Sequence, residues 1–149
     1  MSDFEFSEAL SLDKQICFSL YSASNAMVRA YRSELKVLDL TYLQYIVMMV
    51  LWEEDGISIT LLGEKLHLDS GTLTPLLKRL EAKELIQRRL SKLDERVKEL
   101  YLSDKGMALK LTAEPIPEKM LCKTGLPIEQ LLDLKQQCDA LLSSLNFKV

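Results

Sequence analysis

This chain of 149 residues has little of what metal or covalent frameworks are built from: three cysteines, one histidine and no CxxC pair. A structural zinc ion needs four closely spaced cysteine or histidine ligands, so no metal site is expected. Three scattered cysteines also argue against a disulfide framework. Cys17, Cys122 and Cys138 must each be read as packing or as reactive thiols. No apolar run approaches the ~20 residues that span a bilayer. The opening MSDFEFSEALSLDK is acidic and lacks the basic and apolar regions of a secretory signal. A cytoplasmic protein with no membrane partner is therefore expected. Positive charge is not in excess either. A net charge of −3 argues weakly against nucleic acid, but only as an average.

What is present is a core's worth of apolar residues, 48% of the chain, with 28% charged. The length suits one domain, 1–149, with extensions. Apolar residues at three- and four-residue steps (Ile16, Leu20, Ala23, Met27, Ala30) predict a helix over 13–36. Thr41 is a helix cap before the apolar run YLQYIVMMVLW, and Gly56 is its stop. ISIT is long enough only for a small strand. LLGEKLHL reads as a short amphipathic helix. A second helix starts near Ser70 or Gly71, capped by Asp69 or Ser70, with Leu73, Leu76, Leu77 and Leu80 on one face. Pro75 is expected within about its first turn. Two helices joined by a tight turn signal a helix-turn-helix. Two strands follow around the polar tip Ser91–Arg96. The whole reads as mainly α with a small β-hairpin, a winged helix-turn-helix over about 42–103. Ser103 caps the next helix, Pro115 and Pro117 interrupt it, and Pro127 opens the last one. Leu131, Leu134, Cys138, Leu141, Leu142 and Leu145 stripe that last helix, which makes Cys138 a core residue.

Charge is distributed unevenly. From Lys78 to Glu99 there are eight basic residues against five acids, a local balance of +3. They fall on the second helix and the hairpin, the parts a winged helix presents to DNA. The candidates for DNA contact are the small hydroxyls Ser70, Thr72 and Thr74, then Lys78, Arg79, Arg88, Lys92 and Arg96. Arg96 is placed to enter a minor groove. Asp94 can pair with Arg96 and brace the tip. His67, just before the turn, is read as structural or as facing DNA. The same charges would also suit an ordinary solvated face; the order of turn, capped helix and hairpin favours DNA.

LDSGTLTPLLKRLE followed by the DER of LDERVKEL resembles the MarR family of winged-helix regulators. With LDKQICFSLY and LTYLQY, the sequence is most similar to its organic-hydroperoxide branch, OhrR. The resemblance runs from about Leu12 to the last helix. It implies a homodimer on a pseudo-palindromic double-stranded operator, with terminal helices of about 10–36 and 104–146 as the interface. It implies no cofactor.

On the first helix Cys17, Tyr21, Ser24, Val28 and Tyr31 share one line of the surface at ~100° per residue. Cys17 and Tyr31 are roughly 21 Å apart along the axis and cannot touch within one chain. A second copy packed antiparallel about Ser24 would bring its Tyr31 beside Cys17. The residues alone leave Cys17 as either a small core residue or a reactive thiol. The resemblance implies a redox-sensing Cys17 hydrogen-bonded by Tyr31 and Tyr42 of the partner subunit. It likewise implies a resolving Cys122, set between Lys119 and Lys123, which forms an intersubunit disulfide; a free surface thiol is the alternative. The expected function is a repressor released from DNA when an organic hydroperoxide, entering near Phe18, Tyr21 and Trp52, oxidises Cys17. The rivals are a global oxidative-stress and virulence regulator of the same type, a small-ligand-responsive repressor with Cys17 incidental and, more distantly, a thiol peroxidase. An enzyme would have no use for the basic hairpin.

Overall fold

The computed structural model describes residues 9–146. Their contacts divide the chain into two compact units, one ending at Glu114 and one beginning at Pro115. No single helix among the described residues is long and apolar enough to cross a membrane.

In the first unit, α1 (Ile16–Leu35) begins later than the sequence period suggests. A 3-10 turn occupies Leu12–Lys14 and Gln15 is extended. The Gln15 side-chain amide donates back to the carbonyls of Ala9 and Ser11, just ahead of the helix. Only Leu35 of α1 is buried; Ile16 is 65% exposed and Met27 41%. Helix α2 (Tyr42–Glu53) opens on a reciprocal cap. Thr41 Oγ1 accepts from the Gln44 N–H, and Gln44 Oε1 accepts from the Thr41 N–H. Its buried Tyr45, Val47, Met48 and Leu51 are the centre of the core. Helix α3 (Ile59–Leu66), helix α4 (Ser70–Ala82) and strand β3 (Lys98–Leu102) all pack on α2. They contribute Leu62, then Leu73, Leu76, Leu77 and Leu80, then Leu100. Each such leucine stabilises the fold by about 1.5–3 kcal/mol.

Strands β1 (Ile57–Ser58), β2 (Ile86–Leu90) and β3 form an antiparallel sheet in the order β1-β3-β2. Ile57 opposes Leu100, Ile86 opposes Leu102, and Leu90 opposes Lys98. Ile57, Ile86, Leu100 and Leu102 face the core. Helix α5 (Asp104–Ala113) follows at once, with Ser103 Oγ accepting from the Gly106 N–H at 3.0 Å.

ISIT forms a small strand as expected, over Ile57–Ser58 alone; Ser58 caps α3 by accepting from the Leu61 N–H, so α3 begins at Ile59 rather than at Leu61. Pro75 is the sixth residue of α4, in its second turn rather than its first. The missing N–H there leaves the Gly71 carbonyl without its helical donor, on an exposed face.

In the second unit, α6 (Ile116–Thr124) carries Pro117 in its opening turn and ends at Gly125, whose φ is 66°. Ile116 and Met120 are buried. Helix α7 (Ile128–Asn146) has no buried residue. Its leucine stripe is uncovered in the single chain, so Cys138 is half-buried rather than a core residue.

Candidate DNA interface and thiol site

The turn between α3 and α4 is built by three local devices. His67 ends α3 in the left-handed region, φ 53°, and is exposed there. The Leu68 N–H reaches back to the Gly63 carbonyl at 3.0 Å, closing the helix end. Gly63 permits this: a Cβ there would stand 3.0 Å from the Leu68 carbonyl oxygen. Asp69 then caps α4, its Oδ1 accepting from the Thr72 N–H at 2.7 Å. That backbone bond, followed by one from the Thr72 hydroxyl, holds the Asp69 carboxyl below the usual carboxylate range. Asp69 therefore stays ionised at the positive end of α4. Ser70, Thr72, Thr74, Lys78 and Arg79 are all exposed on this helix, opposite its buried leucines.

The hairpin is braced at its tip. Asp94 accepts from the Arg96 N–H at 3.0 Å and from two guanidinium nitrogens, Nε and Nη2, at 3.1 Å each. These bonds, the side-chain ones first, lower the Asp94 pKa. The Val97 N–H donates to the Asp94 carbonyl, the Ser91 N–H to the Val97 carbonyl, and the Leu93 N–H to Ser91 Oγ. Lys92 and Arg96 remain exposed. On the outer face Arg89 lies 4.6 Å above the Tyr101 ring. Tyr101 in turn donates to Glu99 at 2.6 Å.

Arg88 is placed differently from its expectation. It alternates with the outward residues of β2, so it shares the side of Ile86 and turns back to α4. Its Nε lies 3.1 Å from Glu81 Oε2, as an ion pair off the hydrogen-bond line, and its Nη2 is buried. Lys83 is also engaged: it donates to the Asp39 carbonyl and lies 3.3 Å from the Asp39 carboxylate.

The second set of candidates centres on α1. Cys17 is the second residue of that helix and is exposed, so it is not a core residue in the single chain. The first turn has no side-chain cap. The helix dipole there favours an anion. Tyr31 and Tyr42 lie together, ring centroids 5.1 Å apart, and Tyr45 adds a third ring 5.7 Å from Tyr31. Trp52 meets Tyr45 edge-on at 6.4 Å. Burial, then the neighbouring phenols, raises the Tyr31 pKa, so its hydroxyl remains a donor. Tyr45 was not distinguished by sequence; the spacing Tyr42–Tyr45 on one turn is the signal that would have found it. Trp52 donates to the Gly106 carbonyl at 2.9 Å, which fixes it toward α5. Phe18 and Tyr21 are exposed. Cys122 is exposed in the last turn of α6. Among the described residues no cluster of His, Cys, Asp or Glu could hold a metal ion.

Known proteins place this arrangement. Residues 29–112 match the family described as "Transcriptional regulator SarA/Rot". The organic hydroperoxide resistance transcriptional regulator of Bacillus subtilis is 40% identical over 139 residues, 93% of this chain and 95% of that one. The regulator TtmR of Methylorubrum extorquens is 48% identical over 120 residues, 80% of this chain; the match spans 62% of TtmR. AbfR of Staphylococcus epidermidis has been solved overoxidised on DNA, with a TM-score of 0.76 and 33% identity over 96% of this chain and 98% of that one. It has also been solved reduced on DNA (0.75, 32%, 93% and 97%) and disulfide-formed (0.63, 34%, 91% and 96%). The proteins it resembles are regulators rather than enzymes. The chain belongs to the SarA/Rot family of transcriptional regulators, winged-helix proteins of the MarR type.

Proposed function

We propose that this regulator is a homodimeric repressor that binds a pseudo-palindromic operator and leaves it when an organic hydroperoxide oxidises Cys17. The observation that carries the reading is the position of Cys17: exposed, in the uncapped first turn of α1, on the face that also carries Tyr31. The uncovered apolar faces of α1 and α7 suit a second copy. With α1 paired antiparallel, the Tyr31 and Tyr42 pair of the partner subunit reaches Cys17 and donates to its thiolate. The exposed residues of α4 enter the major groove and the hairpin reaches the minor groove. Ser70, Thr72, Thr74, Lys78, Arg79, Lys92 and Arg96 make the contacts, and Asp94 holds Arg96. Arg88 supports the hairpin through Glu81.

The chemistry follows from the two cysteine environments. The Cys17 thiolate attacks the outer peroxide oxygen and the O–O bond breaks, giving a sulfenic acid and an alkoxide that takes a proton from water and leaves as the alcohol. The Cys122 thiol of the partner subunit then condenses with it, forming the S–S bond and releasing water. Position assigns the roles: Cys17, in the uncapped first turn of α1, meets the peroxide first, and Cys122, in the last turn of α6, attacks second. Reduced and overoxidised AbfR are both known on DNA, which supports assigning release to the disulfide rather than to oxidation of one sulfur.

Oxidation by cumene hydroperoxide, followed on a non-reducing gel, tests the step. A covalent dimer that forms in the wild type and is absent in both Cys17→Ser and Cys122→Ser is expected. A dimer that persists in Cys122→Ser would remove Cys122 from the mechanism.

A further inference from the structure

The hairpin tip carries an apolar residue that the fold does not use. Leu93 is 98% exposed, although it lies between Lys92 and Asp94 in the most charged part of the chain. It is not on a loose loop. Its own N–H is bonded to Ser91 Oγ at 3.2 Å, and the Ser91 side chain sits in a residue only 7% exposed. The next residue, Asp94, is fixed by three bonds from Arg96, and the turn is closed by Val97 and Ser91. A leucine on a braced tip, with cations at 92 and 96 on either side, is an apolar point presented rigidly. The cations select the occupant, because they fit a polyanion and not an apolar protein surface.

We infer that Leu93 is a wedge residue, which inserts from the minor groove against a base step while Lys92 and Arg96 hold the flanking phosphates. The inference rests on the DNA-binding reading above. Apolar side chains used in this way partly unstack a base step and kink the duplex. Pyrimidine–purine steps such as TA and CA deform most readily. Leu93 thereby contributes sequence preference through deformability, at a position where the hairpin makes no hydrogen bond to a base. Because leucine carries no charge, its removal leaves the number of counterions released on binding unchanged, whereas removing Lys92 or Arg96 lowers it.

The test uses full-length protein and a labelled duplex that the wild type selects from a randomised pool, with 2-aminopurine at the step under the hairpin. Leu93→Ala is expected to unfold at the wild-type temperature, since the side chain packs on nothing. It is expected to bind about tenfold more weakly at fixed salt. The slope of log affinity against log salt stays that of the wild type, and the rise in 2-aminopurine fluorescence on binding is lost. Leu93→Met, a flexible apolar wedge, restores both. Wild-type affinity in Leu93→Ala overturns the inference. So does a weaker affinity accompanied by a shallower salt slope, which would make Leu93 a support for the cations. If the wild type selects no duplex at all, the DNA-binding reading fails first, and the wedge with it.

Discussion

Gly106 is the position where one added methyl group should do the most damage. It is the third residue of α5, and a Cβ there would stand 2.2 Å from the Leu85 carbonyl oxygen. An ordinary contact needs roughly 3.2 Å or more, so helix and carbonyl must separate by about 1 Å. Three bonds converge on this place. The Ser103 N–H donates to Leu85 O at 3.0 Å, the Gly106 N–H to Ser103 Oγ at 3.0 Å, and Trp52 Nε1 to the Gly106 carbonyl at 2.9 Å. Overpacking a site of this kind costs about 1–3 kcal/mol, and losing one or two of the bonds about 1 kcal/mol each. The better helix propensity of alanine offsets about 1 kcal/mol. Gly106→Ala is then destabilised by about 1–4 kcal/mol, which lowers Tm by roughly 2–16 °C in a chain of this size. Thermal unfolding at fixed protein concentration measures this. The chain has a single tryptophan, so its emission reports the same site. Gly71→Ala is the control, because a Cβ there meets only Asp69 Oδ1, at 3.4 Å. A Gly106→Ala protein as stable as the wild type, with unchanged Trp52 emission, would refute the argument.

Other substitutions are expected to act locally. Glu84 occupies the left-handed region at φ 61°, so Glu84→Gly should gain about 0.5–1 kcal/mol in urea denaturation. The four cations per chain assigned to DNA (Lys78, Arg79, Lys92, Arg96) give eight in a dimer and a salt slope of about −7; Arg88→Ala should leave that slope unchanged while lowering Tm, because Arg88 pairs with Glu81. The folded-state pKa values of Asp69 and Asp94 are depressed, so their contribution is present above the unfolded value near ~4 and is lost as pH falls through the folded one. Asp69→Asn keeps the cap and should flatten that acid-side decline in a pH series of unfolding midpoints.

Much of this was legible because it is local. Thr41, Asp69 and Ser103 are caps whose partners lie three residues away, and hydrophobic periodicity located the buried face of α4. Helix ends were harder to place. Asp39, His67 and Glu84 adopt left-handed geometry without being glycine, so the usual stop residue is absent from the sequence. The direction of Arg88 depended on strand parity: sharing the face of Ile86 turns it toward Glu81, although composition groups it with the other cations. The start of α1 depended on the Gln15 side chain bonding backward, which no periodicity encodes. An apolar stripe shows that a face is apolar, not which partner covers it, so the sequence reads Cys138 as core where the single chain leaves it half-buried.

The central claim is that oxidation of Cys17, completed by the disulfide to Cys122 of the partner subunit, ends DNA binding. Fluorescence anisotropy of the wild-type-selected duplex, followed after adding one equivalent of cumene hydroperoxide per subunit, measures it directly. The wild type is expected to release the duplex and to rebind it when dithiothreitol is added, while Cys17→Ser stays bound throughout. Release from Cys17→Ser at the wild-type rate would contradict the account.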